Sequence, residues 1–155
     1  MADRYQEVVA IDFGSHSQSA LKDNVLIRGW GAAALFQGIH GVTCVRICAP
    51  MALRVRVMME RLGVKDADAI QEEIEDFDAG HSRAMRAVFN FDWNDALLYH
   101  IVLNSGRVTI DHCVKTICQL AEHQSSQDGS TTKAALAERL REIKAGEIGA
   151  ATDDG

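Results

Sequence analysis

The serine-rich stretch Gly14-Ser15-His16-Ser17-Gln18-Ser19 follows the apolar run Glu7-Val8-Val9-Ala10-Ile11-Asp12-Phe13. A buried strand that empties into such a loop is a place where backbone N–H groups can cradle a phosphate. The motif that does so needs a second glycine, then a lysine and a hydroxyl residue. Counted from Gly14, the glycine and lysine positions hold Ser19 and Ala20; counted from Phe13, they hold Gln18 and Ser19. With no lysine in either register the segment fails as a working P-loop, and a plain strand and turn is the favoured reading. An amphipathic helix over residues 3–22 stays open as the alternative, because so short an apolar run does not settle the period.

Arginines supply the remaining anion-binding chemistry. Arg28 ends an apolar segment and Trp30 follows it between two glycines, so the pair offers an anion contact and a stacking face. Arg54 and Arg61 lie in a helical stretch after Ala49-Pro50, and Arg83 and Arg86 lie in a later one. Six histidines are scattered, none paired at i, i+4 around a carboxylate, which gives no metal site. No Ser/His/Asp set is defensible either, so no catalytic residue is assigned. Cys44 and Cys48 share one strand face, whereas Cys113 and Cys118 are not on a common helix face; neither pair has zinc or redox spacing, and buried free thiols are the expectation.

The elements that must position these side chains centre on residues 42–104. The β-branched run Val42-Thr43-Cys44-Val45-Arg46-Ile47-Cys48 reads as a strand. After the Ala49-Pro50 break, residues 51–62 read as a helix closed by Gly63. Residues 66–91 read as a charged helical excursion split in two, capped by Asp66. Residues 99–103 return as a strand ending at Asn104, and such a βαβ unit belongs in a parallel sheet. Val114, Ile117, Cys118 and Ala121 make an apolar stripe on the next helix. Residues 124–130 read as a linker, 131–145 as a short helix, and 146–155 as a disordered tail.

The bulk numbers bound the rest. A chain of 155 residues, 47% apolar and 25% charged, makes one globular domain with a real core. A net charge of −6 gives no electrostatic case for nucleic acid or anionic membrane. The polar N-terminus and the lack of any bilayer-length apolar run make the cytoplasm the expected location.

The central stretch resembles the cytidylate-kinase-like family, relatives of the nucleoside monophosphate kinases. The resemblance rests on residues 42–63, with Ala49-Pro50, Arg54 and Glu60-Arg61-Leu62-Gly63. It rests also on residues 89–104, with Asp92-Trp93 and Leu98-Tyr99, and on residues 24–32; in all it spans about residues 20–122. It implies a three-layer P-loop α/β fold, with a mainly parallel sheet of about four strands flanked by helices. It implies ATP with Mg²⁺, phosphoryl transfer to a cytidylate-type acceptor, and an arginine at the position of Arg54 near the nucleotide. The chain departs from the family at the cations. The P-loop lysine is missing, the Gly-Arg-Gly loop reads Gly29-Trp30-Gly31, and the basic lid reads Glu75-Asp76-Phe77-Asp78-Ala79-Gly80-His81. Little chain separates Gly14 from the Asn24 strand, where acceptor-binding helices would belong.

The expectation is a kinase-like domain over residues 1–123, with a lid-like arm at about 64–91 and an appendage at 124–155. It has lost catalysis and retains weak nucleotide or phosphate binding through Arg28, Trp30, Arg54, Arg61, Arg83 and Arg86. The alternatives are an interaction module that forms a homodimer or takes another partner protein, and a kinase fragment completed by a partner chain.

Overall fold

Two four-residue strands 52 residues apart, with identical direction, organise the centre of the chain. In the computed structural model, which describes residues 7–10, 25–29, 31–125 and 129–144, β3 (Val45–Cys48) and β4 (Ile101–Asn104) pair in parallel. The register runs from Val45 opposite Ile101 to Cys48 opposite Asn104. His100 continues the ladder by one residue: its backbone N–H donates to the Cys44 carbonyl at 2.8 Å, and its ring Nδ1 accepts from the Cys44 N–H at 2.9 Å. Parallel strands need a long crossover. Here it consists of α2 (Met51–Leu62), α3 (Ala67–Phe89) and a 3₁₀ turn at Ala96–Leu98.

Local chemistry sets the ends of these helices. Pro50 is extended and supplies the carbonyl that accepts from the Leu53 and Arg54 N–H groups, starting α2. Gly63 stops it at φ 69°, a left-handed conformation that a Cβ disfavours. Asp66 caps α3 by accepting from the Ala69 N–H at 3.1 Å, and Asn90 closes it in the left-handed region. The charged stretch expected as two helices is thus one continuous helix of 23 residues, about 34 Å long at 1.5 Å per residue. Gly80 does not break it, since tertiary packing at both ends outweighs the propensity cost of one glycine.

α3 acts as a strut between two small cores. Near its start, Ile70 and Ile74 are buried with Val55 of α2, and Met51, Met58 and Met59 pack around them. At its far end Phe89 packs on a second core made by Leu35 and Phe36 of α1 (Ala32–Phe36), Ile39, and Leu136 and Leu140 of α5 (Gly129–Lys144). The helix after the Gln124 region is therefore packed on α1 through Leu136 and Leu140. α4 (Ile110–Ser125) follows β4 and buries Cys113.

The N-terminal pair is β1 (Glu7–Ala10) with β2 (Val25–Arg28), again parallel, Glu7 opposite Val25. Residues 7–10 are strand; the Gly14 loop and Trp30 lie outside the described residues. The expected three-layer sheet of about four strands is corrected here. The described strands form two separate two-stranded parallel sheets in a mostly helical α/β chain. The physical reason lies between β2 and β3. Residues 42–44, expected as strand, lie outside β3: Cys44 is still tied to His100, but Val42 packs on the α1–α5 core and its N–H donates to the Ile39 carbonyl at 3.2 Å. Ile27 of β2 packs on the same core. Between the two pairs the chain is thus spent on α1 and the turns around Ile39, packed on α5, rather than on a further strand.

Because Ile74 sits at 5% exposure in a core of only three buried residues, Ile74→Ala is expected to cost about 2–4 kcal/mol. Urea unfolding followed by circular dichroism checks this, and a loss under about 0.5 kcal/mol, the usual size for a surface position, would show that α3 is not anchored there.

Candidate functional site

The carboxyl ends of β3 and β4 are tied together by their exits. The Ser105 N–H and hydroxyl both donate to the Cys48 carbonyl, at 2.9 and 3.1 Å, and the Asn104 side chain accepts from the Gly106 N–H at 2.9 Å. A Cβ on Gly106 would fall 2.5 Å from the Pro50 ring, so only glycine lets the two exits lie this close. Ligands of open parallel α/β sheets bind outside the carboxyl ends of the strands, and α2 starts there.

Arg54, in the first turn of α2, is the half-buried cation of this region. Its guanidinium grips Asp78 of α3 with both arms, Nη1 to Oδ2 at 2.5 Å and Nη2 to Oδ1 at 2.7 Å. The hydrogen bonds to Asp78 raise the Arg54 pKa, against the opposing effect of partial burial. The candidate residues around it do not converge. Arg61 is exposed in the last turn of α2, Arg83 is exposed on α3, and Arg28 is exposed at the end of β2. None of these three forms an ion pair with another described residue. Arg86 donates to Asp92 at 2.9 Å on the surface. The described residues thus supply no cradle for a magnesium–triphosphate. Two candidate arginines already hold carboxylates, and no group of three or more His, Cys, Asp or Glu able to hold a metal occurs among the described residues.

A residue missed by sequence reasoning is Arg46 of β3. It donates to the Trp93 carbonyl at 2.8 Å and to Asn94 Oδ1 at 2.6 Å, and its guanidinium lies over the Trp93 and Tyr99 rings at 5.3 and 6.0 Å. The Tyr99 hydroxyl donates to the same Trp93 carbonyl at 2.9 Å, and burial pushes the phenol up, so it stays a donor at neutral pH. Arg46 therefore pins the 92–95 turn onto the sheet. The signal was an arginine inside an apolar strand run, which a sheet interior tolerates only with partners. Of the cysteines, Cys44 and Cys113 are buried, Cys48 and Cys118 half-buried, and all four are free; burial pushes the Cys44 thiol up, away from reactivity.

β3, α2, α3 and β4 thus form a parallel βαβ unit in which Arg54, from the first turn of α2, reaches Asp78 in the middle of α3. A family model described as cytidylate kinase-like matches residues 6–107, two thirds of the chain, and the chain belongs to that family. No curated protein and no solved structure matches it. No described helix is long and apolar enough to cross a membrane.

Two outcomes test this geometry. Arg46→Ala is expected to cost about 1–3 kcal/mol in urea unfolding, and Arg46→Lys to recover only part, since lysine lacks the planar fork; full recovery by lysine would reduce Arg46 to a simple charge. Asp92 accepts from the Asn94 backbone N–H first and from Arg86 next, which holds its carboxyl below the usual range despite some opposing desolvation. A depressed carboxylate stabilises the folded chain above its unfolded pKa of about 3.9, and that contribution fades as pH falls through the lower folded value. Asp92→Asn is therefore expected to lower stability at neutral pH and to narrow its gap from the wild type below about pH 3.9 in acid melts. A gap that stays constant with pH would assign the effect to packing.

Proposed function

We propose that this chain is a non-catalytic member of the cytidylate kinase-like family that binds a nucleotide monophosphate or other phosphate monoester weakly, through Arg54. The observation that carries the reading is the state of its arginines. Phosphoryl transfer is catalysed by cations converging on the transferring phosphate. Here Arg54 and Arg86 are neutralised by Asp78 and Asp92, and Arg28, Arg61 and Arg83 stand apart on separate elements. The sequence adds the absent P-loop lysine and the acidic residues 75–78. A partly exposed arginine at the carboxyl end of a parallel pair can still take a phosphate, as a fork for two oxygens.

A second reading is favoured by one observation. Among the described residues each strand pair leaves open edges, and Ile47 and Val102, on the paired strands, together with Leu97 and Ile110, are exposed. Open edges and apolar patches are commonly covered by another chain. On this reading the domain is an oligomerisation module, or one half of an enzyme that a partner completes.

Thermal shift at low salt with ATP, CTP, CMP, dCMP and inorganic phosphate, with and without Mg²⁺, separates the readings. A ligand at about a hundred times its dissociation constant adds roughly 2.7 kcal/mol, several degrees for a small domain. The expected result is a shift with monophosphates that Mg²⁺ does not enlarge and that Arg54→Ala abolishes. No shift with any ligand, together with a concentration-dependent dimer in sedimentation, would replace this reading by the second. Turnover of ATP and CMP by the chain alone would overturn the non-catalytic assignment.

A further inference from the structure

We propose that Asp78 is an intramolecular latch on the phosphate position: the lid-helix carboxylate fills the Arg54 fork, and a phosphate monoester binds only by displacing it. This rests on the reading of Arg54 as the phosphate contact and adds what governs access to it.

The geometry is that of substrate mimicry. Both arms of the guanidinium meet both oxygens of one carboxylate, at 2.5 and 2.7 Å. This is the same two-point arrangement by which arginine receives two oxygens of a phosphate, so the fork serves one occupant at a time. The two partners come from different elements, α2 and α3, 24 residues apart, so the contact closes the arm against the helix that starts at the strand ends. Asp78 lies one turn beyond Ile74, where the buried anchor of α3 on α2 stops; the neighbouring Phe77 and Ala79 are exposed. Side-chain exposures of 32% for Arg54 and 26% for Asp78 leave the pair reachable from solvent. A pair this accessible is screened and modest in strength, unlike a sealed one. A phosphate dianion carries more charge than the carboxylate it replaces and can win the competition.

The displaced carboxylate does not leave the region. Asp78 stays on α3 beside Asp76 and Glu75, so the incoming phosphate meets their field once the fork is open. Binding is therefore reduced by the latched fraction and by repulsion from the released group. Removing the Asp78 charge relieves both while leaving Arg54 in place.

The test is isothermal titration of wild type, Asp78→Asn, Asp78→Ser and Arg54→Ala with CMP, inorganic phosphate and cytidine, after circular dichroism has shown each variant folded. The latch predicts that both Asp78 variants bind CMP and phosphate about three- to tenfold more tightly than wild type, the range set by releasing one partly exposed pair. Cytidine, which has no phosphate, should be unaffected, and Arg54→Ala should lose CMP and phosphate. Two independent Asp78 variants guard against one that folds poorly. CMP binding that Arg54→Ala weakens and neither Asp78 variant tightens would overturn the latch and leave the Arg54 site standing. Equal tightening of cytidine would overturn it too, because a general loosening of α3 would then be the cause. Absence of phosphate binding in every variant would overturn the latch together with the reading beneath it.

Discussion

Parallel pairing of β3 with β4 is the constraint on which the rest of this structure depends. Two strands running in the same direction cannot be joined by a tight turn, so residues 49–100 must leave one end of the sheet and return to the other. That requirement gives the chain α2 and α3, puts Pro50 and Gly106 in contact at the carboxyl ends, and places Arg54 beside the strand exits. Arg46 and His100 fix the register from within the pair, one by holding the 92–95 turn and the other by extending the ladder.

The pairing also explains why α3 matters more than its polar sequence suggests. A helix with few buried side chains, Ile70, Ile74 and Met85, is held by contacts near its two ends. Between them it carries the carboxylate that meets Arg54. That carboxylate, in an acidic segment, holds the protein's own arginine with both oxygens.

Two two-stranded parallel sheets are unusual for this architecture, since parallel sheets are generally covered on both faces and extended by neighbours. In this chain α1 and α5 build a core of their own from Leu35, Phe36, Ile39, Leu136 and Leu140, and Ile27 and Val42 pack on it. The described strands stay as two pairs, with Leu26, Ile47 and Val102 exposed.

The sequence by itself determined the local grammar: a β-branched run ended by Ala49-Pro50, a helix stopped by Gly63, an Asp66 cap, and a return strand at Asn104. Each of these depends on residues within a turn or two of one another, so composition and spacing carry them. Tertiary structure alone decided that residues 67–89 are one helix, that the sheet divides, that Arg54 is held by Asp78 and that Arg46 stacks on Trp93 and Tyr99. The side-chain contacts join residues 24 to 53 positions apart, where nothing in a local pattern distinguishes the partner chosen from other residues of like charge or shape. Only the geometry of packing selects it.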